Sequence, residues 1–165
     1  MTTPYCLKIN RFRFISPPCL AKAACTVLIL FSQAALADTS CTIDSVSAVN
    51  FGTYDVFSPQ SNNNGVGSLT ISCRGGNSAI IVELSSGQSN TFVSRAMRSG
   101  RNLLGYNLYT SAARNVVWGD GTGGSSTMGI NKNRTTTLSV FGQIPAGQDV
   151  AVGTYADNIT TVVNF

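Results

Sequence analysis

The residues with the most chemical reach in this chain are Cys41 and Cys73, three arginines at Arg95, Arg98 and Arg101, a lone Trp118, and an acidic glycine-rich run around Asp120. Histidine is absent, which removes the commonest general base and the usual partner of a serine nucleophile. The acids are scattered, so paired-carboxylate hydrolysis would need two distant ones to meet by folding. The run Gly119-Asp120-Gly121-Thr122-Gly123-Gly124 lacks the lysine and the following helix of a phosphate-binding loop, and reads as a flexible hairpin loop. No enzyme and no cofactor are expected.

Export sets the reading of the cysteines. Lys8, Arg11, Arg13 and Lys22 form a basic leader, an apolar run spans Ala23 to Phe31, and Ala35-Leu36-Ala37 offers the small-x-small pattern of signal cleavage. Residues 1–37 are therefore expected to be a cleaved signal peptide, with residues 38–165 as one mature domain; an uncleaved membrane anchor is the competing reading. Cys6, Cys19 and Cys25 leave with the leader, and the remaining pair, Cys41 and Cys73, is expected to form a disulfide in an oxidising compartment. The loop it closes would stabilise the fold by roughly 3.7 kcal/mol on the chain-entropy model. A metal site is the alternative, but no histidine and no second mature cysteine pair support it.

Charge follows the same division. Of 11 basic residues four lie in the leader, which leaves seven against seven acids, so the mature domain is neutral. No nucleic-acid footprint remains. Arg95, Arg98 and Arg101 cluster as a basic patch that could touch an anionic surface, or could be a solvated hairpin edge that discourages aggregation. Trp118 could be an exposed adhesive contact or a core or rim residue.

The elements that must position these groups are strands. After residue 37 the chain is rich in Thr, Ser, Asn, Gly and Val, and its recurrent pattern has period two. Leu69, Ile71 and Cys73 alternate, as do Ile80, Val82 and Leu84; Leu104, Tyr106 and Leu108; Leu138, Val140 and Gly142; and Ile159, Thr161, Val163 and Phe165. Turn chemistry separates them at Asn62-Asn63-Asn64-Gly65, Arg74-Gly75-Gly76-Asn77, Gly119-Asp120-Gly121 and Pro145-Ala146-Gly147. A first strand is expected from Cys41 to about Tyr54, broken near Asn50-Phe51-Gly52. The fold class is all-β, an immunoglobulin-like antiparallel β-sandwich. Five or six long strands are legible where such a sandwich has seven, and the last legible strand runs up to Phe165. That strand is either an ordinary sheet edge or one whose neighbour comes from another molecule.

The stretches CTIDSVSAVNFGTYDVFSP, LTISCRGG, RAMRSG, LGYNLYT, VVWGDG, VFGQIP and GTYADNITTVVNF, in order from Cys41 to Phe165, resemble the spore coat protein U domain. That family includes secreted pilin-like subunits of archaic chaperone–usher pili. The resemblance implies an incomplete sandwich lacking its last strand, which a periplasmic chaperone lends and an outer-membrane usher exchanges for the extension of a sister subunit. The fibre would stand at the cell surface and support attachment to host or abiotic surfaces and biofilm formation. Carried over, Ile159, Thr161, Val163 and Phe165 would line one side of the acceptor groove and Ile43, Val46, Val49 and Phe51 the other.

A polymerising subunit also needs a donor segment of roughly ten residues ahead of its first strand. With cleavage after Ala37, only Asp38, Thr39 and Ser40 precede Cys41, so a tip or non-polymerising subunit is expected. The alternative is a self-complete carbohydrate-binding or spore-coat sandwich that uses the loop Ser111 to Ser126 as its binding surface.

Overall fold

The computed structural model describes residues 39–76 and 79–165; the expected signal peptide lies outside the described residues. Eight strands are formed: β1 Ser40–Asn50, β2 Val66–Arg74, β3 Ile80–Leu84, β4 Arg95–Ser99, β5 Asn102–Tyr109, β6 Met128–Ile130, β7 Arg134–Gln143 and β8 Thr161–Asn164. A single 3₁₀ turn, Gly87–Ser89, precedes β4. All named pairings are antiparallel. They build a five-stranded sheet in the order β1-β2-β7-β5-β4 and a three-stranded sheet in the order β6-β3-β8.

Alternation drives the layering. In β2, Leu69, Ile71 and Cys73 are buried while Ser68, Thr70 and Ser72 turn outward, and in β3 Ile80, Val82 and Leu84 are buried while Ile81 is exposed. A side chain on a strand alternates faces, so each run commits one face to the core. The core gathers these residues with Met97, Leu104, Tyr106, Leu108, Leu138, Val140 and Ile144. Burying each large apolar side chain is worth roughly 1.5–3 kcal/mol.

β1 departs from strict alternation. Cys41 opposes Cys73, Ile43 opposes Ile71 and Val46 opposes Leu69, with irregularities between Ile43 and Ser45 and between Ser47 and Asn50. Each bulge adds a residue and shifts the phase of the pleat. Ile43 and Val46 thus share the inner face although three positions apart. The outer face carries a three-by-three array of hydroxyl residues, Thr42-Ser72-Thr135, Ser45-Thr70-Thr137 and Ser47-Ser68-Ser139, each row crossing β1, β2 and β7. Thr70 and Thr137 hydroxyls sit 3.0 Å apart and those of Ser72 and Thr135 2.7 Å apart.

Cys41 and Cys73 form the disulfide, joining directly opposed residues of β1 and β2. β4 and β6 are absent from the sequence reading, and β8 starts at Thr161 rather than Ile159.

Candidate functional site

Of the four edge strands among the described residues, β1 and β8 face each other across a groove. β1 pairs only with β2, and β8 only with β3. A cavity of about 340 Å³ lies between them, walled by Val46 to Val49 and Phe51 on one side and by Tyr155, Ala156, Asp157, Ile159 and Thr161 on the other. Its floor is core: Leu69, Leu84, Met97, Tyr106, Leu108 and Val140. Edge backbone left unpaired beside an apolar trough is what an added strand satisfies, by main-chain hydrogen bonds and by alternate side chains entering pockets.

Local packing holds each wall. Phe51 stands edge-on to Tyr106, ring centroids 5.8 Å apart, and lies over Gly65 and Gly142, where an added Cβ would come within 2.5 Å of its ring at either position. Those glycines give the ring its seat. Across the groove, Asp157 accepts the Tyr106 phenol at 2.8 Å and the amides of Gln88 and Asn158 at 3.0 and 2.8 Å. Ala156 exchanges two backbone hydrogen bonds with Arg98 of β4, at 2.8 and 3.0 Å. The segment leading into β8 is therefore fastened to the first sheet before it joins the second. Burial, and then the bond to the Asp157 carboxylate, push the Tyr106 phenol well above the ordinary tyrosine range.

The groove is apolar where a water-facing surface would be polar. Val46 is 69% exposed and Ile43 46% exposed, both on the inner face of β1. Val163 opposes buried Val82 and packs against the core, while Phe165, beyond the end of β8, is 52% exposed. Of the eight residues expected at an acceptor groove, Val46, Val49, Phe51, Ile159 and Thr161 line the cavity. Ile43, Val163 and Phe165 are not among its lining residues.

With that geometry in place, the comparisons decide the family. The family model for the spore coat protein U domain matches residues 26–162. The chain belongs to the spore coat protein U family. Protein U of Myxococcus xanthus is 30% identical over 128 residues, which is 71% of this chain and 71% of that protein. Among solved structures, the domain is similar to a chain in the crystal structure of the CsuC–CsuE chaperone–tip adhesion subunit pre-assembly complex, from the archaic chaperone–usher Csu pili of Acinetobacter baumannii. The TM-score is 0.52 at 28% identity, covering 77% of this chain and 40% of that one. This chain thus matches under half the length of its structural relative.

Of the readings left open for Arg95 and Trp118, the fold excludes a surface contact for both, puts Trp118 in the core and also overturns a solvated hairpin edge for Arg95. Arg95 and Trp118 both have 0% exposure, so neither can meet a partner from the surface. Trp118 is a core residue whose indole N–H donates to Val82 O at 3.1 Å. Arg95 alternates on β4 with buried Met97, so the pleat turns it inward. Its guanidinium donates to Ser85 O at 3.1 and 2.9 Å, to Trp118 O at 2.7 Å and to Asn107 Oδ1 at 2.7 Å. Arg98 and Arg101 remain exposed at the β4–β5 hairpin. The buried Arg95–Asn107 network and the Asp157 clamp were missed by sequence reasoning. The one available signal was the phase of Arg95 with Met97.

Proposed function

We propose that this spore coat protein U domain is a structural and adhesive subunit of a chaperone–usher surface fibre, completed by a β-strand donated from another molecule. The groove between β1 and the chain entering β8 carries the reading. It combines two unpaired strand edges with an apolar floor, and burying exposed valine and isoleucine side chains against an incoming strand supplies the driving force. The similarity to a chain from a chaperone–tip subunit complex supports a periplasmic chaperone as first donor. An outer-membrane usher and a sister subunit would follow, with no catalytic step and no cofactor.

In this reading Ile43, Val46, Val49 and Phe51 meet one side of the donated strand, and Ile159, Thr161, Val163 and Phe165 the other. Export by the leader precedes assembly at the cell surface, where the fibre supports attachment and biofilm formation. A tip or non-polymerising position belongs to the same proposal, because cleavage after Ala37 would leave three residues ahead of Cys41.

The deciding experiment is periplasmic expression of the full chain with and without its chaperone. The expected result is a soluble one-to-one complex with the chaperone and aggregation or proteolysis without it. In the complex, the β8 amides that face the open edge become protected from hydrogen exchange. A soluble, monomeric, cooperatively folded domain without chaperone, with those amides already protected, would overturn the proposal.

A further inference from the structure

A second cavity, of about 410 Å³, shares no lining residue with the groove. It lies between the loop that joins β3 to β4 and the Gly119–Gly124 run, and its size falls in the range of about 300–1,000 Å³ typical of small-ligand clefts. The two walls are built on one buried cation. Arg95 binds Ser85 O at the root of the first loop and Trp118 O at the root of the second. The Phe92 ring centroid lies 5.1 Å from its guanidinium carbon. Asn107, which accepts from Arg95, donates to Phe92 O at 2.8 Å. A fully desolvated guanidinium is expensive to keep, and keeps its place only when its donors are satisfied. Here they are satisfied by the cup's own supports, so the cup is held in shape before any ligand arrives.

The second wall is closed on itself as well. Asp120 Oδ1 accepts from Thr122 N and Oγ1 at 2.8 and 2.7 Å. Ser125 Oγ donates to Thr122 O at 2.7 Å and accepts from Gly121 N at 3.2 Å. Asn90 at φ 55°, facing the loop from the other wall, has the left-handed backbone that asparagine tolerates. Asp120, Asn90 and Ser86 line the cavity, and the Asp120 and Asn90 side chains are exposed to whatever enters it.

We propose that this cup binds a neutral carbohydrate, a single hexopyranose unit of a surface glycan. An ionised carboxylate oxygen accepts from two neighbouring sugar hydroxyls, and a primary amide both donates and accepts, which matches the mixed character of a sugar hydroxyl. Thr122 hydrogen bonds hold the Asp120 carboxyl below its usual range, so the acceptor stays charged. That charge repels anionic ligands. Divalent ions are poorly served, because the described residues contain no cluster of three His, Cys, Asp or Glu side chains. Flat aromatic ligands lose their stacking platform, since the Phe92 ring is buried over Arg95.

The test is saturation-transfer NMR with methyl hexopyranosides, followed by titration, on the folded domain whether free or chaperone-bound. Wild type is expected to receive saturation from at least one pyranoside. Asp120→Asn and Asn90→Gly should each weaken binding about tenfold, the worth of one hydrogen bond, with unchanged melting because both side chains are exposed and glycine accepts the left-handed backbone at position 90. Transfer from no pyranoside, affinities unchanged in both variants, or binding of calcium alone would each overturn the proposal. Because the cup is separate from the groove, failure here leaves the strand-completion reading intact, and failure there leaves this one intact.

Discussion

The Tyr106 phenol donates a 2.8 Å hydrogen bond to Asp157, tying the floor of the groove to the chain that leads into the open edge β8. Because Asp157 also accepts two backbone amides, one carboxylate positions the whole approach to that edge. Asp157→Ala strands a buried phenol and should cost about 1–3 kcal/mol. Denaturant unfolding of the strand-completed domain measures it, and Asp157→Asn should recover part of the loss.

The same pair sets an alkaline limit. The native phenol titrates above the ordinary value of 10.0, so the unfolded chain releases this proton first. Its contribution is fully present below about pH 10 and is lost as pH rises toward the raised native value. Tyrosinate absorbance should show one mature tyrosine that ionises only with unfolding, and Tm should fall above pH 10. Independent, fully reversible titration of every tyrosine would contradict this.

Exposed valines separate a groove from a mere surface. Val46→Asp places a charge on the apolar wall and should abolish the chaperone complex while sparing the disulfide and the β2–β7 pairing. Val152→Asp, at a position fully exposed outside the cavity, should leave complex yield unchanged. Equal effects from both would point to general solubility rather than strand docking.

Arg95→Met removes the donor to Ser85 O, Trp118 O and Asn107 Oδ1 together. Ser85 O and Trp118 O lose this donor and Asn107 Oδ1 keeps only Leu108 N, and the expected cost is about 3 kcal/mol or more. Arg95→Lys keeps the charge but loses the planar fork, and should rescue less than half. Chemical denaturation decides it.

If the subunit stands at a fibre tip, protein released by cleavage after Ala37 accepts a strand and donates none. Purified from its chaperone complex by exchange against a synthetic donor peptide, it should remain monomeric by light scattering. Regular homopolymeric fibres would refute the assignment.

Much of the fold was legible because one face of each long strand is committed to the core. Leu69, Ile71 and Cys73, then Ile80, Val82 and Leu84, alternate in sequence and are buried in structure. β4 escaped notice because its inward residues are Arg95 and Met97, and an arginine interrupts any apolar count. Its burial depends on acceptors supplied from Ser85, Asn107 and Trp118, which only the closed fold brings together. Trp118 lies outside the regular strands, where periodicity is silent. The inner face of β1 skips from Ile43 to Val46 because a bulge intervenes, and bulges leave no dependable mark on composition.

The Cys41–Cys73 bridge clamps β1 at its first paired residues, whereas the groove wall begins at Val46 and runs toward the Asn50 end. β1 is therefore pinned at both ends, by the sulfur bridge behind it and by the Phe51 ring seated over Gly65 and Gly142 ahead of it. A strand anchored twice keeps its register, so the edge it offers is the same template at every encounter.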